Sequence, residues 1–181
     1  LWLTVAISYY AISFNSGNLS GSVYLSFVLV STPLFFCGFA ARKLMDSPLG
    51  RRGTNTFFFV TLIPVIAVGA IFPSVATASS MFGSFAAEGA FSVVYVQTQE
   101  LFPTNLRGTS LGLCVTASRL GTLTSDLLPV MLGSSGTLVV ICLMCSIAAP
   151  LAFFIVPETK GKGLADSLDQ AAPPQDASQH P

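Results

Sequence analysis

A series of long apolar runs, separated by short polar segments, constrains this chain more than any other feature of its sequence. A helix needs about 17–25 predominantly apolar residues to cross the hydrocarbon core of a bilayer. Five runs reach that length and the first is shorter; the runs are 1–14, 22–41, 56–72, 75–99, 109–131 and 137–156. Because lipid offers no partners for backbone N–H and C=O groups, such runs must be helical. The sequence therefore predicts an all-α integral membrane protein with six transmembrane helices.

The charge content supports this class of protein. Only 9% of the residues are charged, whereas a soluble domain carries about 25%. The formal net charge is zero, which argues against a nucleic-acid surface or a polybasic lipid anchor. The cysteines lie within apolar runs and lack metal-type spacing, so we expect them to be small buried residues, with no metal, disulfide or cofactor. They are Cys37, Cys114, Cys142 and Cys145.

The two ends of the chain differ from the middle. Residues 1–14 would form a helix of about 21 Å, which is short of the ~30 Å hydrocarbon core. We therefore expect the chain to begin partway through its first helix. Residues 1–157 form the predicted membrane domain, and the polar segment 158–181 is a predicted tail, largely disordered because it has too few apolar residues to bury.

The basic residues set the expected orientation. Seven of them fall on one side of the predicted membrane, which the positive-inside rule makes cytoplasmic, together with the carboxy-terminus. They are Arg42, Lys43, Arg51, Arg52, Arg107, Lys160 and Lys162. The opposite side carries a glycosylation sequon at 18–20, in a loop so short that we expect little occupancy.

The cytoplasmic loops contain more charges than orientation requires. In the segment "QTQELFPTNLRGTSLGL" (97–113), Pro103 and Arg107 suit a simple turn, but Glu100 does not, because acidic residues contribute little to orientation. One interpretation is a charge network that holds one state of a rocking bundle. The other is a set of solvated loop charges of little individual value. The candidate members of the network are Asp46, Arg51, Arg52, Glu100, Arg107 and Glu158.

Several segments resemble the major facilitator superfamily. The loop "GFAARKLMDSPLGRRG" (38–53) resembles its loop signature, with one extra residue before Gly50, and "PETKG" (157–161) follows the last run. The segment "FSVVYVQTQELFPTNLRGTSLG" (91–112) is similar to the organic cation, anion and carnitine transporter family. The segments "YYAISFNSGNLSGSVYL" (9–25) and "TASRLGTL" (116–123) agree with that family.

This resemblance implies a twelve-helix transporter built from two six-helix halves, of which the chain matches the second, helices seven to twelve. It implies transport of small organic ions by alternating access, residence in the plasma membrane, and an amino-terminal half as the missing partner. Sugar porters would show a Q-Q-x-x-G-x-N run and a Pro-Trp pair, and the sequence has neither. A sugar-porter-like transporter and a half-length membrane protein that does not transport remain the alternatives.

Two charges lie near the middle of predicted membrane helices, where charges usually serve a function. They are Glu88 in the fourth run and Arg119 in the fifth. Helical spacing predicts two faces. One consists of Ser84, Glu88, Phe91 and Tyr95, and the other of Thr116, Arg119, Leu123 and Asp126.

Two interpretations of these charges stay open. Glu88 and Arg119 could form an ion pair that holds two helices together. Alternatively, Arg119 faces a central cavity and attracts an anionic or zwitterionic substrate, such as carnitine. The resemblance favours the second, since an arginine at this position is typical of anion and carnitine members. The predicted substrate-binding residues are Arg119, Glu88, Tyr95, Phe91, Tyr9 and Tyr10.

Enzymatic chemistry has no support in the sequence. There is no nucleophile–base pair, phosphate loop or metal cluster among its motifs, and the single histidine, His180, lies in the tail. We therefore expect a transporter rather than an enzyme, with the substrate and the coupling ion left open.

Overall fold

The computed structural model describes residues 1–15 and 23–161 of the chain, and every element in these ranges is helical. The predicted all-α class is confirmed. The last part of the predicted tail, residues 162–181, and the sequon at 18–20 lie outside the described residues. The helices are α1 Trp2–Asn15, α2 Val23–Asp46, α3 Gly50–Ile71, α4 Ala76–Leu101 and α5 Thr104–Phe154, with a 3-10 turn at Pro73–Val75.

The helices extend beyond the apolar runs that predicted them. α2 continues through the basic pair Arg42 and Lys43 to Asp46, and α3 begins at Gly50 instead of residue 56. Hydropathy marks where a chain leaves the hydrocarbon, whereas a helix ends where its hydrogen-bond ladder stops. The extra turns therefore place the charged loop residues on helix ends.

The long helix α5 contains two successive segments. Its backbone leaves the helical region at Gly133, which has a φ of 68° and a ψ of 176°. A glycine adopts such a positive φ without the steric cost that a Cβ would impose. In place of the loop predicted at 132–136, the structure has a single non-helical residue, Gly133. It divides α5 into a first arm, residues 104–132, and a second arm, residues 134–154.

α1 lies between α4 and the first arm of α5. Small residues allow it to approach closely: a Cβ at Gly121 would lie 2.9 Å from the Leu3 carbonyl oxygen. α3 packs against α4 and α5, and α2 packs mainly against α4. The largest side chains in the shared core, each almost fully buried, are Phe58, Phe59, Leu62, Ile141, Val5 and Val93.

By length and apolar composition, three helices can cross a membrane: Tyr24–Asp46, Gly50–Ile71 and Thr104–Phe154. The apolar helix Trp2–Phe14 is shorter. α4 is long enough, but Glu88 and its many alanines, serines and glycines make it less apolar. Large apolar side chains such as Tyr24, Phe35 and Phe154 are exposed, which is the expected surface for a protein whose solvent is lipid.

Candidate functional site

A groove between α1 and α4 contains most of the predicted substrate-binding residues. Its volume is about 260 Å³. The residues that line it are Tyr9, Tyr10, Glu88, Phe91, Ser92 and Tyr95. Five of these six belong to the predicted set, and Ser92 is the addition. Ser84 has the correct helical spacing but is fully buried in the bundle, so it does not contribute to the groove.

Aromatic rings form a continuous wall along this groove. Phe91 lies between Tyr95, with ring centroids 5.3 Å apart, and Tyr9, at 6.3 Å. Tyr9 also meets Tyr10 edge to face at 5.3 Å. Aromatic rings at such distances offer negative faces that attract an organic cation.

The indole ring of Trp2 packs against the rings of this wall, and the sequence did not predict Trp2 as part of the site. Its indole ring lies 4.4 Å from the ring of Tyr95, centroid to centroid, and 5.9 Å from that of Phe91. Its Nε1 donates a hydrogen bond of 2.9 Å to the hydroxyl of Thr98. Trp2 stands seven residues before Tyr9, so the two share a helix face. That spacing was the available signal.

Glu88 is half-buried in the groove. Among the described residues, the two ion pairs both belong to Arg51, so Glu88 takes part in neither. Its electrostatic neighbours are the Tyr9 phenol and the Cys37 thiol. The groove thus combines a carboxyl group with aromatic rings and no basic side chain on its lining.

Arg119 lies elsewhere, and the alternative that pairs it with Glu88 is wrong for this structure. The face predicted from spacing is a real face of α5, but it points out of the bundle: Arg119 is exposed, as are Thr116, Leu123 and Asp126. The opposite face of the arm packs inward. α1 separates α4 from this arm, so α4 and α5 make few contacts, and the two charges do not meet.

The charged cluster at the other end of the bundle centres on Arg51. Its Nε and Nη2 donate three hydrogen bonds of 3.1–3.2 Å to the Glu100 carboxylate. Its Nη1 donates to the Met45 carbonyl oxygen at 3.1 Å and lies 3.8 Å from the Asp46 carboxylate. A forked guanidinium–carboxylate contact is among the stronger polar interactions in proteins.

The segment after α5 joins this cluster through Glu158. Its carboxylate accepts backbone N–H bonds from Arg51 at 2.9 Å, Arg52 at 3.1 Å and Lys160 at 2.9 Å. Burial by itself raises the pKa of the Glu158 carboxyl, but backbone N–H groups of Lys160, Arg51, Arg52 and Thr159 outweigh burial and hold that pKa below its usual value. Glu158 therefore caps the start of α3 as an anion.

Two further residues of this segment hold it in place. The Thr159 hydroxyl donates to Glu100 at 2.5 Å. The Lys160 Nζ donates to the carbonyl oxygens of Asp46 at 2.8 Å and Ser47 at 2.6 Å. The sequence offers Lys160 as a possible charged partner of Glu100, but its Nζ binds backbone carbonyl oxygens instead, and the uncharged Thr159 is not among the predicted members. Both residues hold the segment after α5 against the ends of α2 and α4.

Arg52 and Arg107 differ from the predicted network. The Arg52 guanidinium lies 4.4 Å from the centre of the Phe153 ring, a cation–π contact, and only its backbone N–H reaches Glu158. Within the described residues, Arg107 forms no ion pair, and its Nε and Nη2 atoms are buried without a hydrogen-bond partner. The cluster thus brings together Asp46, Arg51, Glu100 and Glu158.

Comparison with known proteins adds a family context. The profile of the family described as "Sugar (and other) transporter" matches residues 4–168. The chain is 30% identical to a solute carrier family 22 member 15-like protein of Xenopus tropicalis, over 96% of this chain and 37% of that protein. It is 33% identical to organic cation/carnitine transporter 2 of Rattus norvegicus, over 94% and 31%.

A human relative, solute carrier family 22 member 13, is 31% identical over 93% of this chain and 31% of its own length. The chain therefore spans about a third of the length of these curated relatives. They are all named as solute carriers or transporters, none as an enzyme.

Proposed function

Since this chain belongs to the sugar and other transporter family of the major facilitator superfamily, in its organic cation and carnitine transporter group, we propose that it is the six-helix carboxy-terminal half of a twelve-helix transporter. That transporter moves small organic ions across the plasma membrane by alternating access, with this chain's carboxy-terminus in the cytoplasm. The missing amino-terminal half supplies the other wall of the substrate path.

The groove between α1 and α4 carries this proposal. A carboxyl group beside Tyr9, Phe91 and Tyr95 suits a cationic headgroup, which gains both charge and cation–π attraction there. A purely anionic substrate would be repelled by Glu88 if that residue is ionised. Of the two substrate classes that the sequence favours, the geometry therefore favours a zwitterion such as carnitine, a substrate that the name of one relative also carries.

Arg119 supplies the second contact for the zwitterion. A guanidinium exposed on a membrane helix costs several kcal/mol if it faces lipid, so it faces water or protein instead. In the complete transporter, the exposed face of the first arm of α5 lines the cavity between the two halves. Arg119 there binds the substrate carboxylate, while Glu88 and the rings bind the cationic end.

The cytoplasmic charge cluster stabilises one conformational state of the alternating-access cycle. The Arg51–Glu100 contact joins the start of α3 to the end of α4, and the Glu158 cap joins the segment after α5 to the start of α3. Such a cluster favours the state in which its members are in contact, and opening of the cytoplasmic side disrupts it. Arg107 lies outside this cluster, and its buried donors, which no described residue satisfies, are assigned to an acidic partner on the other half.

Uptake measurements test this function. Cells expressing the full-length gene product receive labelled carnitine, tetraethylammonium, benzoate or glucose, with Arg119→Ala as the variant and the exposed Arg42→Ala as the matched control. Loss of a charge-assisted contact of about 1.5–3 kcal/mol predicts a roughly tenfold to hundredfold lower kcat/KM for carnitine. Tetraethylammonium, which has no carboxylate, should be taken up equally well by both variants.

Other outcomes would point to the alternatives. Glucose uptake that survives Arg119→Ala, without uptake of any organic ion, would support the alternative of a sugar-porter-like transporter. Absence of all uptake, with normal surface expression, would support a membrane protein that does not transport. Equal loss of carnitine and tetraethylammonium uptake in Arg119→Ala would assign that residue to structure instead of carboxylate recognition.

A further inference from the structure

We propose that Thr98, which does not line the groove, sets the affinity of the groove for the cationic end of a substrate by fixing the indole ring of Trp2 against the aromatic wall. Thr98 is thus a positioning residue that acts through Trp2. This inference rests on the proposed transport function and adds a specificity-determining residue to the same site. It comes from one buried hydrogen bond between α1 and α4 and from the rings that this bond holds.

The hydroxyl group of Thr98 takes part in two hydrogen bonds. It donates to the carbonyl oxygen of Val94, four residues earlier on α4, at 2.8 Å. Its oxygen accepts a hydrogen bond from Nε1 of Trp2, on α1, at 2.9 Å. A hydroxyl that donates to its own helix keeps its lone pairs available as acceptors. The two bonds therefore form a short chain that runs from the indole of α1 through Thr98 to the backbone of α4.

Burial makes the bond between Trp2 and Thr98 difficult to replace. Only 9% of Trp2 and 7% of Thr98 are exposed, so water has little access to either group. An indole N–H can only donate, and a buried tryptophan usually has an acceptor for it. Loss of the Thr98 hydroxyl leaves this donor unsatisfied, which favours a different position of the ring. Both partners belong to this chain, so the contact does not depend on the missing half.

The position of the Trp2 ring affects the position of the wall. The Trp2 ring meets the Tyr95 ring at a centroid distance of 4.4 Å and the Phe91 ring at 5.9 Å, edge to face in both cases. Tyr95 and Phe91 line the groove and lie 5.3 Å from each other. Since side chains in a packed interior transmit strain, a tilt of the indole shifts these two rings. The attraction of a quaternary ammonium group depends on its distance from the ring centres.

This dependence should have its own substrate signature. The ring faces contact the cationic end, whereas Arg119 is assigned to the carboxylate. A change at Thr98 should therefore weaken binding of carnitine and of tetraethylammonium by the same factor, because both present a quaternary ammonium group. Arg119→Ala should affect carnitine alone. The two residues can thus be distinguished with the same pair of substrates.

Uptake by cells that express the full-length protein tests the inference. Thr98→Val removes the hydroxyl and keeps the shape of the side chain. It should raise KM for both substrates about tenfold with little change in kcat, whereas Thr98→Ser should keep the wild-type KM. Thr61→Val is the matched control, because the Thr61 hydroxyl also donates to a carbonyl oxygen four residues earlier, that of Phe57, and lies outside the groove.

A double-mutant cycle shows whether the effect passes through Trp2. Trp2→Phe removes the donor of the same hydrogen bond, so it should raise KM by itself, and it serves as the test variant if Thr98→Val does not reach the cell surface. In the Trp2→Phe background, Thr98→Val should raise KM no further. A wild-type KM in either single variant, or a second tenfold loss in the double variant, would overturn the inference.

Equilibrium binding of labelled tetraethylammonium to the detergent-solubilised full-length protein separates this inference from the transport function. Binding that is about tenfold weaker in Thr98→Val than in wild type, without uptake by either protein, would overturn the proposed function and keep the inference. Equal binding by the two proteins, with uptake intact, would overturn the inference and keep the function, even if Thr98→Val melts at a lower temperature. The absence of binding to both proteins would overturn both.

Discussion

The forked contact between Arg51 and Glu100 gives the most quantitative prediction from this structure. Three N–H···O distances of 3.1–3.2 Å join the two side chains. Only 18% of the Arg51 side chain and 23% of the Glu100 side chain are exposed. The pair is therefore neither a solvated surface pair nor a fully buried one, and its free energy should fall between the two.

The limits follow from measured behaviour of ion pairs in general. An exposed pair contributes about 0–1 kcal/mol, whereas removal of one partner from a buried pair costs about 3–5 kcal/mol. For a mostly covered, forked pair we expect about 2 kcal/mol, which is roughly a thirtyfold shift in an equilibrium. Glu100→Gln keeps the shape and one acceptor for the Thr159 hydroxyl, so the charge contact is the main loss.

A double-mutant cycle measures this term. Thermal unfolding of the full-length protein in detergent is followed for wild type, Glu100→Gln, Arg51→Gln and the double variant. The coupling energy should be about 2 kcal/mol. Asp126→Asn is the matched control, because its carboxylate is exposed and forms no ion pair with any described residue. Its effect should stay within about 0.5 kcal/mol.

Amide exchange locates the effect. Glu100→Gln should raise exchange in the segment 156–160, because Thr159 and Glu158 dock onto the same cluster. A coupling energy below about 0.5 kcal/mol, with unchanged exchange in this segment, would refute the reasoning. These side chains would then be solvated loop charges of little individual value, which is the second interpretation that the sequence left open.

Three further predictions concern local packing, pH and backbone strain. Gly89→Ala should lower the free energy of unfolding by about 1–3 kcal/mol, because a Cβ there overlaps the buried Phe58 ring. Gly112→Ala is the control. A Cβ at Gly112 meets open space, so the melting temperature should stay nearly unchanged. The pKa of the Glu158 carboxyl in the folded protein is below its ordinary value of 4.5. The Glu158 cap on α3 should therefore be complete above pH 4.5 and be lost as the pH falls through the lower pKa of the folded protein. Loss of the cap should appear as faster amide exchange at Arg51 and Arg52. Gly133→Ala should cost about 1–3 kcal/mol in thermal unfolding, because φ is 68° there; an unchanged melting temperature would show that the break between the arms can relax.

Much of the fold followed from the sequence because its signals are local. Runs of apolar residues predict helices in a bilayer without any knowledge of their neighbours, since each helix satisfies its own backbone. Spacing of three and four residues predicted that Glu88, Phe91 and Tyr95 share a face, and the groove contains all three. Helix ends were less predictable, as α2 and α3 show, because hydropathy does not detect where hydrogen bonding stops.

Only the tertiary structure decided which faces meet. Periodicity places Arg119 on a face of α5, but α1 lies between α4 and α5, so that face is exposed and Arg119 forms no ion pair with Glu88. Likewise, the negative charge of Glu158 suggested a basic side chain as its partner. Its carboxylate oxygens instead accept hydrogen bonds from backbone N–H groups in the first turn of α3. The physical reason is the same in both cases: sequence spacing fixes directions within one helix, and the contacts between helices depend on how the whole bundle packs.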